Sequence, residues 1–413
     1  MTNNHNDDTW DTRYEWKAVA LLSIGFGLVG LDRFMIQPLF PVMMKDLNFD
    51  YQDIGLISGV LAIAWGVAAM FCGRLADKVG HRKVLIPAVV LFSLLAGFSG
   101  LATGLMSLLF IRALMGLAEG AFTPTSIVAT LDASKPSRHG LNLGIQQNMV
   151  ALIGLGLAPL IVTQLLAVVP SWRWVFILVS LPGFIVAYLM YRVMRDPSPR
   201  VAAEHTITHD ARQHRWQDVF QYRNVPLNIC GMFCWLTVVT VMGVFFPNYL
   251  VDHLGLTITE MGFVVSAIGF GGSAGNLVMP GLSDRFGRKP ILALGVVVAV
   301  CALLALRYIG NSPLALFSLV FIVMFCVFSN VTLTVGPLTV ESVPATLMAT
   351  ASGLVVGIGE VFGGGIVPAV AGFVAKHYGI EHILTLAAIG MSLGLIVAIF
   401  LKETAPIKQR VQS

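Results

Sequence analysis

Along the chain, long apolar runs alternate with short polar breaks, and the length of the runs decides the fold class. They reach 18 to 25 residues without period-two alternation. A helix needs about 20 apolar residues to cross about 30 Å of hydrocarbon, whereas the strands of a membrane barrel alternate over about 10 residues. The pattern predicts an all-α polytopic membrane protein with twelve spans, at 18–40, 54–76, 84–104, 106–128, 141–166, 172–193, 225–250, 258–281, 290–309, 313–336, 346–373 and 381–401. The longest polar interruption, 194–224, holds Arg195, Arg200, Arg212, Arg215 and Arg223 with few large aliphatic residues. It is expected to be a cytosolic linker between six-helix halves at 18–193 and 225–401, with polar tails at 1–17 and 402–413. The first tail is acid-rich and no small-residue cleavage site follows the first run, so the first helix is read as retained rather than as a signal peptide.

Composition agrees. Of 413 residues, 56% are hydrophobic and only 12% charged, with mean hydropathy +0.80, against about 25% charged in soluble domains. A water-soluble globule is excluded. The net charge of +4 is too small to point to nucleic acid, and its distribution says more. With residues at the span ends counted in the adjoining loop, 20 of the 26 Lys and Arg fall on the termini and even-numbered loops, 4 on odd-numbered loops, and Arg33 and Arg112 well within spans. The positive-inside rule then predicts cytoplasmic termini and, for a bacterial protein, the inner membrane. The loop near Glu341 carries no basic residue and does not contribute to this count. Cys72, Cys230, Cys234, Cys301 and Cys326 lie in or beside apolar runs and are expected to be free buried thiols.

An internal repeat appears when the halves are compared. RLADKVGHRK from Arg74 recurs as GLSDRFGRKP from Gly281, an offset of 207 residues, about half the chain. The copies share Leu75/Leu282, Asp77/Asp284 and Gly80/Gly287 with basic residues on either side, and each lies after the second span of its half. Two such matches at the half-chain offset indicate duplication. The loop resembles the G-x-L-[AS]-D-[KR]-x-G-[RH]-[RK] signature of the major facilitator superfamily. The first copy matches from Gly73; the second has Pro280 in place of the leading Gly. That resemblance implies two pseudo-symmetric six-helix bundles and a monomer. It also implies loops, through Gly73, Asp77, Arg82, Asp284, Arg285 and Arg288, that latch the halves in an outward-open state. The read-out of basic residues as positive-inside anchors alone is the plainer alternative.

Five charges lie well inside spans, away from their ends: Asp32, Arg33, Arg112, Glu119 and Glu360. Each costs about 2.5–3.5 kcal/mol at a helix centre on insertion scales, so they mark a site. Arg112 and Glu119, seven residues apart, share one helix face; Asp32 and Arg33 point about 100° apart and cannot simply neutralise each other. GLDRFMIQPLFP in the first span and FIRALMGLAEGAFTP in the fourth resemble the anion:cation symporter branch of the superfamily, which carries organic anions. In that fold the first and fourth helices line the central cavity. The resemblance therefore implies Arg33 and Arg112 around a substrate carboxylate, with Asp32 and Glu119 as proton carriers whose protonation responds to whether an anion has taken the Arg. A static salt-bridge network is the plainer alternative. Glu360, in GIGEVFGGGIVPAVAG, departs from the branch pattern: a further proton site, a selectivity group and a helix–helix hydrogen bond remain open for it. Trp65, Gln146, Asn248, Tyr249, Asn276 and Asn330 complete the candidate substrate contacts, although intramembrane polar groups also serve as interhelical glue.

The expected function is proton-coupled uptake of a small organic anion, tilted toward an aromatic or dicarboxylic acid, with an efflux antiporter as the alternative. The efflux element G-P-x-x-G-G is not matched by GLGLAPLI in the fifth span. An intramembrane enzyme needs a nucleophile beside a base, or a metal cluster. The nine histidines all fall in tails or loops, His205, His209 and His214 read as solvated, and no HExxH occurs. The two GxSxG matches, GGSAG at Gly271 to Gly275 and GMSLG at Gly390 to Gly394, lie inside apolar spans rather than at a strand-to-helix turn. No enzyme activity, metal or cofactor is therefore expected.

Overall fold

A computed structural model describes residues 10–195, 216–344 and 347–405, without the side chains of residues 70, 71, 73–78, 216 and 349. The histidines of the linker and the side chains of Gly73 and Asp77 thus lie outside the described residues. Among the described residues every regular element is helical, and twelve helices are long and apolar enough to cross a bilayer. We number them α1 (Thr12–Leu47), α2 (Tyr51–Val79), α3 (His81–Ser99), α4 (Leu105–Ala133), α5 (Pro136–Val168), α6 (Trp172–Val193), α7 (Asn224–Val244), α8 (Ile258–Phe286), α9 (Arg288–Leu306), α10 (Pro313–Val340), α11 (Thr350–Tyr378) and α12 (Ile380–Phe400). Each overlaps one expected span. The boundaries differ most in α1, which runs on to Leu47 and begins at Thr12, where Asp11 caps it, its carboxylate accepting from the Tyr14 N–H at 3.0 Å. The thiols are free, as expected, but only Cys234 and Cys326 are buried; Cys230 and Cys301 are exposed. An apolar run specifies burial in lipid or protein without distinguishing the two.

Within each half, glycines bring helices to backbone contact, and one such pair occurs in both halves. A Cβ on Gly116 or Gly120 of α4 would strike the carbonyls of Leu61 and Trp65 on α2, and one on Gly271 or Gly275 of α8 would strike those of Phe321 and Phe325 on α10. These are the small-residue contacts expected where packing, not water expulsion, drives helix association. The two pairs are equivalent in the repeat, with the glycines on opposite partners.

The repeated loop has one backbone shape in both halves: Gly80 and Gly287 adopt φ of 94° and 103°, values that strain any residue with a Cβ. In the second copy Arg288 is nearly buried, pairs with Asp284, donates to Ser283 Oγ at 2.6 Å and reaches Glu341 Oε1 at 2.9 Å. Glu403, past α12, caps α9 by accepting from the Arg288 and Lys289 N–H groups at 2.9 and 3.2 Å. Partial burial raises the Glu403 pKa, but these donors with Ala405 and Thr404 outweigh it and hold the carboxyl below its ordinary value. In the first half Arg82 donates to the Tyr191 carbonyl at 2.6 Å and lies over that ring.

The side bearing the termini is knit by a fully buried acid, Glu15. It pairs with Arg138 at 2.8 Å and accepts from Asn142 Nδ2 at 3.0 Å, the Lys135 N–H at 3.2 Å and Trp10 Nε1 at 2.9 Å. Glu15→Ala is expected to destabilise the protein by about 3–5 kcal/mol, the usual cost of leaving a buried pair with one partner. A lower melting temperature in detergent would show it, and an unchanged one would reduce Glu15 to a surface contact.

The halves meet through α2 against α11 and α5 against α8. A Cβ on Gly55 or Gly59 would meet the carbonyls of Pro368 and Gly365, and one on Gly269 would meet the backbone of Gly156. Tyr51 donates to Asp252 at 3.0 Å and Lys376 pairs with Asp50 at 2.7 Å on the side away from the termini. Nearer the termini, Gly144, Gly353 and Gly357 face open space. The interface is therefore closed on the far side and parted on the side of the termini.

Candidate functional site

The site begins with a break in α1. Pro38 lacks the N–H that would bond the Phe34 carbonyl, so the helix stops at Phe34, turns at Met35 and resumes at Ile36. Arg33 stands at that break. α7 stops in the same way at Val244, turns at Phe245 and is followed by a short helical stretch, Phe246–Asn248, that holds Pro247. In α5 and α11 the helix widens into a π turn, Val150–Leu157 before Pro159 and Glu360–Ile366 before Pro368. The prolines of each pair, Pro38/Pro247 and Pro159/Pro368, are 209 residues apart, so the duplication visible in the loops extends to the interruptions. Such interruptions persist where the irregular backbone lines a cavity.

They surround a cavity of about 200 Å³ between the halves. Its charged and polar wall is Arg33 and Gln37 of α1, Ser58 of α2, Arg112 of α4, Thr240 of α7 and Glu360 of α11; aliphatic side chains supply most of the rest. Arg33 is one-fifth exposed and lies 3.5 Å from Glu360 Oε2 across the halves. Its guanidinium carbon is 5.8 Å from the Trp65 ring and 5.5 Å from that of Phe34, within cation–π range. Trp65 is fixed in turn by its Nε1, which donates to Thr123 Oγ1 at 3.3 Å. Arg112 is buried, donates to the Asp32 backbone carbonyl at 3.0 Å and lies 6.0 Å from the Phe176 ring.

Behind these arginines Asp32 and Glu119 are buried, at 2% and 0% exposure. Neither oxygen of Glu119, nor Oδ1 of Asp32, accepts a hydrogen bond from a described residue. The two acids, Arg33 and Arg112 are close enough to act on one another electrostatically. All five intramembrane charges therefore gather at one place.

The neutral candidates divide. Trp65 lies against Arg33 but outside the cavity lining. Asn276 accepts from Thr332 at 2.6 Å, joining α8 to α10, and Asn330 is buried against Gly295 of α9. Asn248 donates to Asp252 at 3.2 Å and Tyr249 stacks on Phe246 and His253, all toward the closed end. Gln146 is buried outside the cavity lining. Gln37, Ser58 and Thr240, which do line it, were not singled out by sequence. The one available signal was their position one or two turns from a charged residue or proline. Among the gating candidates, Asp284 pairs with Arg288, Arg285 is exposed and Arg82 is bound to Tyr191, each within its own half.

Among the described residues no cluster of His, Cys, Asp or Glu has metal-binding geometry. Residues 22–368 match the Major Facilitator Superfamily. Similar proteins include a D-galactonate transporter of Escherichia coli O6:H1 (24% identity, 92% of this chain and 94% of that one) and the sialic acid transporter NanX of E. coli K12 (23%, 93% of each). A probable 4-methylmuconolactone transporter of Cupriavidus pinatubonensis is 26% identical over 92% of this chain and 89% of its own. In fold, the chain is similar to a bacterial homolog of the human lysosomal transporter Spinster, solved inward-facing and unoccupied (TM-score 0.72, 17% identity, 94% and 95% covered). It is likewise similar to the nucleoside transporter NupG (TM-score 0.74, 15% identity, 94% and 97% covered). The chain belongs to the Major Facilitator Superfamily and is a membrane transporter, not an enzyme.

Proposed function

We propose that the chain carries a small organic carboxylate into the cell together with protons, by alternating access of the central cavity. The observation behind this reading is Arg33: a guanidinium on the wall between the halves, oriented by two aromatic rings and held by one loose anionic contact. A planar fork in that position suits bidentate binding of a carboxylate. Arg112 adds a second positive charge at the same wall and ties α4 to the break in α1. Asp32 and Glu119 are the proton carriers: both are buried, without hydrogen-bond donors among the described residues, and electrostatically linked to Arg112, with Glu119 linked to Arg33 as well. An anion on Arg33 changes the field at these acids and so couples substrate to protons.

With the termini in the cytoplasm of a bacterial cell, as the charge distribution favours, the parted side is the inner one. The repeated loops with Asp77 and Asp284 then latch the opposite, outward-open state. Each chain carries a whole cavity, so a monomer suffices. The cavity is small and mostly aliphatic, with Gln37, Ser58 and Thr240 as its neutral polar lining. That favours a compact apolar or ring-bearing acid over a polyhydroxylated one. Among the relatives, the one named for 4-methylmuconolactone is accordingly the better chemical guide.

The experiment is a thermal-shift panel of organic acids followed by uptake of the best stabiliser into proteoliposomes. A saturating acid adds about 2.7 kcal/mol at a hundredfold excess over Kd, and an inward proton gradient is expected to drive its accumulation. Accumulation driven only by an oppositely directed proton gradient would instead identify an efflux antiporter.

A further inference from the structure

We infer that Glu360 is the resident counter-ion of Arg33, displaced by the substrate carboxylate and protonated on displacement, and that it restricts the site to anions of a single charge. The inference rests on the carboxylate reading above and concerns the same site.

Three observations carry it. First, the Arg33–Glu360 contact spans the halves through one oxygen at 3.5 Å, and both side chains are about one-fifth exposed. It is a loose pair open to exchange, unlike the Glu15 pair, whose acid is wholly buried. Second, Glu360 stands at the first residue of the π turn in α11, and Gly364, one turn on, leaves room for its carboxylate: a Cβ there would lie 2.7 Å from Oε2. The backbone is shaped around the acid. Third, in the empty site Glu360 balances the charge of Arg33, so an incoming monoanion on Arg33 leaves one negative charge in excess, and a proton on Glu360 offsets it.

The ionisable groups that bear on Glu360 are Arg33 from α1, Arg112 from α4 on the same cavity wall, and Asp32 and Glu119 behind them. From α2 and α7 the polar groups of the lining are Ser58 and Thr240, which do not titrate in the working range. Substrate carboxylate takes the Arg33 fork, the displaced Glu360 carboxylate accepts one proton from water on the loading side, and the reverse steps restore the pair on release. A second carboxylate on the substrate would bring into a cavity of about 200 Å³ a further negative charge that the single proton on Glu360 does not offset. Dianions are thereby disfavoured.

The test compares wild type with Glu360→Gln, using benzoate, galactonate, glucuronate and the dianion terephthalate, by thermal shift and calorimetry at pH 5.5 and 8. Wild type is expected to bind a monoanion of this set more weakly at the higher pH and to reject terephthalate. Glu360→Gln is expected to bind that monoanion about tenfold more tightly at pH 8, since the competent Arg33 is no longer partly occupied. It should also lose most of the pH dependence and accept terephthalate more readily. Because the amide could disturb α11, wild-type selectivity is a second criterion: terephthalate binding as tightly as benzoate at both pH values overturns the inference. So does a monoanion affinity and pH slope unchanged, or an affinity weakened, in a folded Glu360→Gln. If no acid in the set binds wild type, the carboxylate reading fails and the inference with it; if wild type binds and the variant does not differ, only the inference fails.

Discussion

Arg33→Ala is expected to abolish binding of the organic acid, and Arg33→Lys to weaken it by at least tenfold. Charge-assisted hydrogen bonds contribute about 1.5–3 kcal/mol each, and a bidentate carboxylate takes two from one guanidinium. Losing both therefore costs about 3–6 kcal/mol, or upward of a hundredfold at 1.4 kcal/mol per decade. Lysine keeps the charge but offers a hydrated point where the fork was, and gives up the planar face that Trp65 and Phe34 hold. Calorimetry with the acid that most stabilises wild type measures both losses. The melting temperature of the empty variants separates a binding defect from a folding one. Wild-type affinity in Arg33→Lys would leave Arg33 as the partner of Glu360 and move the carboxylate anchor elsewhere.

The fold and the charged centre of the site were legible for the same reason. In a chain with 12% charged residues, an acid or arginine inside an apolar run stands out against a cost of several kcal/mol, and the five that do so converge on one cavity. The repeat was legible in its loops, where charge and glycine leave few choices, but not in its helices. There it is carried by interruptions before Pro38, Pro159, Pro247 and Pro368, which identify themselves only as backbone geometry. Neutral polar residues were the least legible. An amide in a span has no preferred face, so Asn276 and Asn330, which serve α8–α10 and α9–α10 packing, look the same in sequence as a cavity lining residue. The partner of Arg33 was beyond reach for another reason: Glu360 is 327 residues away on the other half, and the π turn of α11 sets its position.

Glu119→Gln is expected to abolish accumulation driven by a proton gradient while sparing exchange of substrate across the membrane. Glutamine matches the volume of a protonated carboxyl and carries no charge, so it holds the site in one protonation state. The acid it replaces is fully buried, and neither of its oxygens accepts a hydrogen bond from a described residue. The substitution therefore removes the charge without breaking a structural hydrogen bond at that carboxylate. Binding and counterflow need only the cavity and Arg33, and both persist. Net accumulation needs a group that loads a proton on one side and releases it on the other. Counterflow at or near the wild-type rate, together with uptake that no longer exceeds equilibrium under an imposed gradient, is the expected pair of results. A loss of both would point to a folding or gating defect, which Glu119→Asp, retaining the ionisable group, is expected to relieve in part. Gradient-driven accumulation by Glu119→Gln at the wild-type level would remove Glu119 from the coupling and leave Asp32 and Glu360 to carry the proton.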